Sequence, residues 1–120
     1  MSANFYCWEP SLNLDPASED FQNRIDEIHK YRSKPAPPEG MLKLVDALLA
    51  RYPDLTETDE TVWADGPMKN NILGRFINMG VIWNRYAEAA GFIIFTANGL
   101  GLHAFDPQDG TFYPAPNTIG

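Results

Sequence analysis

The spacing of apolar positions along the chain changes several times, and each change marks an element. Asn4 to Trp8 reads Asn-Phe-Tyr-Cys-Trp. Aromatics at 5, 6 and 8 suit a short strand, and Glu9-Pro10 ends it because proline has no N–H to give to a ladder. Asp15-Pro16 has the form of a helix N-cap followed by proline at the first helical position. Phe21, Ile25, Ile28 and Arg32 then recur at helical spacing, with Tyr31 extending the stripe. The spacing predicts a helix from Pro16 to Arg32. Ser33 to Gly40 holds three prolines, Pro35, Pro37 and Pro38, and reads as a stiff connection. A second helix is predicted from Glu39, with Leu42, Val45, Leu48, Leu49 and Tyr52 as its apolar stripe and Pro53 as its stop.

Past Pro53 the pattern lapses. Asp54 to Asp65 is polar, too long for an ordinary connection, and is followed by Gly66-Pro67. Ile77, Met79, Val81 and Trp83 then alternate with Phe76, Asn78, Gly80 and Ile82, which predicts a strand, with another before it across a turn at Asn70-Asn71. Helical content returns from Tyr86 to Asn98, with Gly99 and Gly101 as terminators. Leu102 to Phe105 and Thr111 to Tyr113 read as the two arms of a hairpin around Asp106-Pro107-Gln108-Asp109-Gly110. Residues 114–120 read as a tail. Grouped helices and neighbouring antiparallel strands predict an α+β fold: one domain, with a small, mostly antiparallel sheet packed against about three helices. The predicted core is a single one, joining Phe21, Ile25, Ile28, Leu42, Val45, Leu48 and Leu49 to Ile77, Met79, Val81, Ile93 and Phe105.

Composition narrows the function. The chain has 120 residues, 44% of them hydrophobic, enough for one domain to fold without staples. Nine Lys and Arg against sixteen Asp and Glu give a net charge of −7. That disfavours nucleic acid and anionic membrane as partners, both of which need a cationic surface, and suits a cationic partner. The single cysteine, Cys7, excludes an internal disulfide. No apolar run approaches the roughly 20 residues of a membrane span, and Met1 to Pro10 lacks the charged and apolar regions of a signal peptide. A soluble cytoplasmic domain is expected.

Catalytic signatures are sparse. Cys7, His29 and His103 are the candidate nucleophile and bases, but no spacing forces them together. There is no Cys-x-x-Cys or His-x-x-x-His, and the acidic loop lacks the ligand pattern of an EF-hand. Gly99-x-Gly101 precedes a strand rather than a helix, the wrong order for a dinucleotide turn. No metal, cofactor or catalytic residue is expected. The Asp54–Asp65 loop is the better candidate. Asp54, Glu57, Asp59, Glu60 and Asp65 come without a basic residue among them, and concentrated like charge commonly serves electrostatic steering. Trp63 is either an interface anchor or a core side chain folded onto the sheet. Asp106 and Asp109, ordinary turn residues that also add charge, complete the candidate partner-binding surface.

Three stretches also carry a family resemblance. They are Val62-Trp63-x-x-Gly66-Pro67, the strand ending Ile82-Trp83, and Leu102-x-x-Phe105-Asp106-Pro107-Gln108-x-Gly110-x-x-Tyr113-Pro114. Together, over Phe5 to Pro114, they resemble small immunity proteins of bacterial polymorphic and type VI secretion toxins. The resemblance implies a non-enzymatic cytoplasmic protein that binds and neutralises a toxin encoded beside it. Nuclease and nucleotide-metabolising toxins need a cationic cleft, which an acidic inhibitor can occupy. The alternatives are a small-ligand or regulatory domain using Trp8, Trp63 and Trp83 around an apolar pocket, and a cysteine-dependent enzyme with Cys7 exposed beside a histidine.

Overall fold

Strand β1 (Ser2–Trp8) is the middle of a five-stranded sheet, and its unbroken apolar run Phe5-Tyr6-Cys7-Trp8 explains why both faces of that sheet are covered. The computed structural model describes residues 2–30 and 36–116. The elements that follow are α1 (Phe21–His29), α2 (Glu39–Arg51), β2 (Ile72–Leu73), β3 (Phe76–Ile82), α3 (Tyr86–Gly99), β4 (His103–Asp106) and β5 (Thr111–Tyr113). Short 3-10 turns lie at Pro10–Leu12, Met68–Asn71 and Trp83–Arg85. The strand order is β2-β3-β1-β4-β5, every pair antiparallel. The fold is α+β.

Register sorts the side chains. Cys7 lies opposite Ile77 and Ala104, and Phe5 opposite Met79, so these share a face with Ala3 and Val81. Helices α2 and α3 cover that face with Met41, Leu44, Val45, Leu48, Ala89, Ala90, Ile93 and Ala97. The other face carries Tyr6, Trp8, Phe76 and Phe105, and α1 covers it with Phe21, Ile25 and Ile28. Its aromatic rings interlock: Phe21 meets Phe105 edge-on at 5.0 Å, and Trp8 stacks on Phe112 at 5.8 Å. The single expected core is therefore two cores, one on each side of the sheet.

Other departures are local. The first helix begins at Phe21, not Pro16, because Asp15 and Ser18 close turns ahead of it, with Ser18 N–H donating to Asp15 O at 2.9 Å and Phe21 N–H to Ser18 O at 3.2 Å. Its expected end at Arg32, and Ser33 to Pro35 of the proline connection, lie outside the described residues. In α2 the buried stripe is Met41, Leu44, Val45 and Leu48, while Leu42 and Leu49 flank it half-buried. The turn before β3 is at Gly74-Arg75, not Asn70-Asn71, and Gly74 takes φ 67° there. Trp83 leaves the strand for a 3-10 turn and is exposed. Of the expected tail, Ala115 is buried and its N–H donates to His103 Nδ1 at 2.9 Å. Residues 117–120 lie outside the described residues. No helix among the described residues is long and apolar enough to cross a membrane.

Candidate functional site

The loop between α2 and the 3-10 turn at Met68 is held at several fixed points. Trp63 forms an isolated bridge with Val81, Ile82 N–H donates to Val62 O at 2.8 Å, and Ala64 N–H donates to Gly80 O at 2.9 Å. The loop thus covers the part of the β3 edge that β2 leaves open. Trp63 is 1% exposed, donates its indole N–H to Tyr52 O at 2.8 Å, and meets the Tyr52 ring edge-on at 6.1 Å. The core alternative for Trp63 is the one realised: packed against Tyr52 and the sheet at 1% exposure, the ring offers no free face to serve as an interface anchor.

Asp54 is likewise structural. It is 7% exposed, and its carboxylate accepts from Met68 N–H at 3.1 Å across the loop. Gly66 makes the approach possible, since a Cβ there would collide with the Asp54 carboxylate. Thr61 Oγ1 donates to Pro53 O at 2.6 Å and closes the base of the loop. Glu57, Asp59, Glu60 and Asp65 remain exposed. The ion pairs among the described residues, Lys43–Glu39 and Arg85–Glu88, include none of these four.

The hairpin acids divide in the same way. Asp106 is buried at 7% exposure, and its Oδ1 accepts from the backbone N–H and side-chain amide of Gln108 at 2.9 and 2.8 Å. The same amide reaches Asn4 O at 2.8 Å and ties the turn to β1. Burial, and secondly the Asp106 carboxylate, pushes the Tyr86 hydroxyl pKa far up. Asp106 is therefore a turn strut rather than a contact surface, while Asp109 is exposed and accepts from Thr111 N–H at 3.0 Å.

Spacing did not disclose the cleft that the loop borders. Asn4, His29, Asp65, Asn70, Asn71, Leu73 and Asn78 line a surface cavity of about 290 Å³ on the α1 side of the sheet. His29 donates Nδ1–H to Ile25 O at 2.8 Å, so in the neutral ring Nε2 accepts from the Asn78 amide at 3.0 Å. Asn78 Oδ1 is then buried without a partner among the described residues. Asp65 accepts from Asn71 Nδ2 at 3.1 Å and lies against Gly80, where a Cβ would come within 3.3 Å of it. Asn4, Asn78 and Gly80 fall on the same face as Tyr6, Trp8 and Phe76 and leave the aromatic surface open there. A second cavity, of about 390 Å³, is bordered by Ser2, Leu55, Asp59, Thr61, Trp63, Ala64 and Ile82.

The candidate nucleophile has no base. Cys7 points to the α2–α3 core, and burial raises its thiol pKa far above the ordinary range. His29 caps the opposite face and His103 lies across from Trp8 on that same face, so the sheet separates both from the thiol. No cluster of three or more His, Cys, Asp or Glu among the described residues could hold a metal ion. Comparison of the chain with protein-family models, curated proteins and solved structures finds no match.

Proposed function

We propose that the chain is a cytoplasmic immunity protein that binds and neutralises a cationic antibacterial effector toxin without chemistry of its own. The observation that carries this reading is the split within the acidic loop. Asp54 and Trp63 are buried and fix the backbone, while Glu57, Asp59, Glu60 and Asp65 project from it with no ion pair among the described residues. A rigid display of like charge costs self-repulsion in the free protein and is relieved by a cationic partner. Asp65 also borders the amide-lined cleft, whose donors and acceptors would give a docked cationic surface directional contacts. The net charge of −7 adds long-range attraction.

The test is co-expression with the product of the adjacent gene. The expected result is a stable one-to-one complex and protection of cells from that product. Absence of both binding and protection against any adjacent toxin overturns the reading.

A second reading, a small-ligand domain, has one observation in its favour: the cleft is near the lower size limit of ligand sites and holds an amide oxygen, on Asn78, that is unpartnered among the described residues. A neutral polar compound that raises the melting temperature and loses that effect in Asn78→Ala supports this reading over the first.

A further inference from the structure

Helix α3 lacks the polar outer face expected of a helix lying on a sheet. From Ala89 to Leu102 the chain carries no charged residue. Ala89, Ala90, Ile93 and Ala97 are buried against the sheet and α2. Trp83, Ala87, Gly91, Phe95 and Gly99, spaced four apart, are all exposed. Phe95 is 77% exposed and Trp83, one turn ahead of the helix, 52%. A Cβ added at Gly91 or Gly99 would meet nothing within 4 Å, so the helix surface is open at each glycine.

This order of large and small residues is self-complementary. A two-fold axis through Gly91 sets each residue of one copy against the residue equally far along on the other side of that point. Phe95 then faces Ala87 and Gly91 faces itself, while Trp83, in the 3-10 turn ahead of the helix and stacked on Tyr86, lies off this ridge. The large side chain on the helix thus meets a small one, as a self-complementary isologous patch requires. Glycine at the crossing lets two ridges of i, i+4 residues approach closely.

Charge opposes a second copy, but only weakly at this face. Two copies at −7 repel over most of their surfaces. Along α3 that repulsion is weak, because the one charged residue of the helix, Glu88, pairs with Arg85 at 2.8 Å and Ala89 to Leu102 carry no charge. We propose that two copies of this chain associate through α3, antiparallel, with Phe95 of each seated over Ala87 of the other.

The experiment is sedimentation equilibrium on the full chain up to millimolar concentration, with Phe95→Asp and Gly91→Leu as variants. Wild type should reach twice its monomer mass of 13.5 kDa as concentration rises. Phe95→Asp should raise the dimer dissociation constant by roughly tenfold or more. Gly91→Leu should do the same by blocking the crossing. Its melting temperature in dilute solution should hold or rise, because leucine favours helix over glycine and the monomer has room for it. Added salt should leave the dimer intact or tighten it, since screening relieves the repulsion between copies. A wild-type chain that stays monomeric throughout overturns the proposal and leaves this face to a different protein. So does dimerisation unchanged in both variants, or a dimer that salt dissolves.

Discussion

Replacing Trp63 by alanine separates the two roles that a tryptophan in an acidic loop can play. The ring is 1% exposed and stacked edge-on against Tyr52, so its loss removes a large apolar surface and leaves a void beneath the loop. Such truncations cost about 3–5 kcal/mol. The indole N–H also holds Tyr52 O at 2.8 Å, which joins the end of α2 to the loop. Trp63→Phe keeps most of the ring volume but strands that carbonyl, at a cost of about 1–3 kcal/mol. Both losses are large beside the roughly 5–15 kcal/mol that holds a domain of this size folded. At about 4 °C per kcal/mol, Trp63→Ala should melt on the order of 12–20 °C below the parent. Urea titration followed by circular dichroism gives the free energies. If Trp63→Ala unfolds within about 1 kcal/mol of the parent, the ring is not a core element and the account of the loop fails.

Three further outcomes follow from particular contacts. Cys7 faces the α2–α3 core, so thiol reagents should leave it unmodified in the native protein, and reductant should not shift the melting temperature. Gly66→Ala drives a methyl group into the Asp54 carboxylate and should destabilise by about 1–3 kcal/mol as Met68 N–H loses its acceptor; urea titration reads this directly. Burial lowers the pKa of His103 in the fold, so below the ordinary value of about 6.5 the unfolded chain takes up a proton that the folded chain resists. Stability should therefore fall as pH drops through this window towards the depressed folded value. His103→Asn, which keeps an acceptor for Ala115 N–H, should flatten that part of the curve of melting temperature against pH.

The fold class was legible because the alternation in β3 and the hairpin turn after β4 are strong local signals, and both occur where the spacing puts them. The division into two cores was less so. Phe5-Tyr6-Cys7-Trp8 reads as four apolar residues in a row, and only the register with Ile77, Phe76 and Ala104 shows that alternate members serve opposite faces. The phase of α2 was ambiguous for a related reason. Met41, Leu42, Leu44, Val45, Leu48 and Leu49 cover so wide an arc that two stripes fit, and contact with the sheet chooses between them. In the loop, five acids looked alike in sequence. Nothing local distinguishes Asp54, which Gly66 and Met68 draw inward, from Asp59, which stays outside. The Asn4–Asn78 cleft was hidden because its walls come from five separate stretches of chain.

Association kinetics bear most directly on the claim that the loop steers a cationic partner. The variant carries Glu57→Gln, Asp59→Asn, Glu60→Gln and Asp65→Asn together, all at exposed positions, so the free protein should hold its melting temperature or gain slightly as the self-repulsion is relieved. Stopped-flow mixing with the adjacent-gene toxin gives the association rate across a salt series. At low salt the variant should associate roughly tenfold more slowly than the parent, with a smaller change in dissociation. The difference should shrink as the screening length falls from about 10 Å at 0.1 M to about 3 Å at 1 M. Equal association rates for parent and variant at low salt would contradict the account.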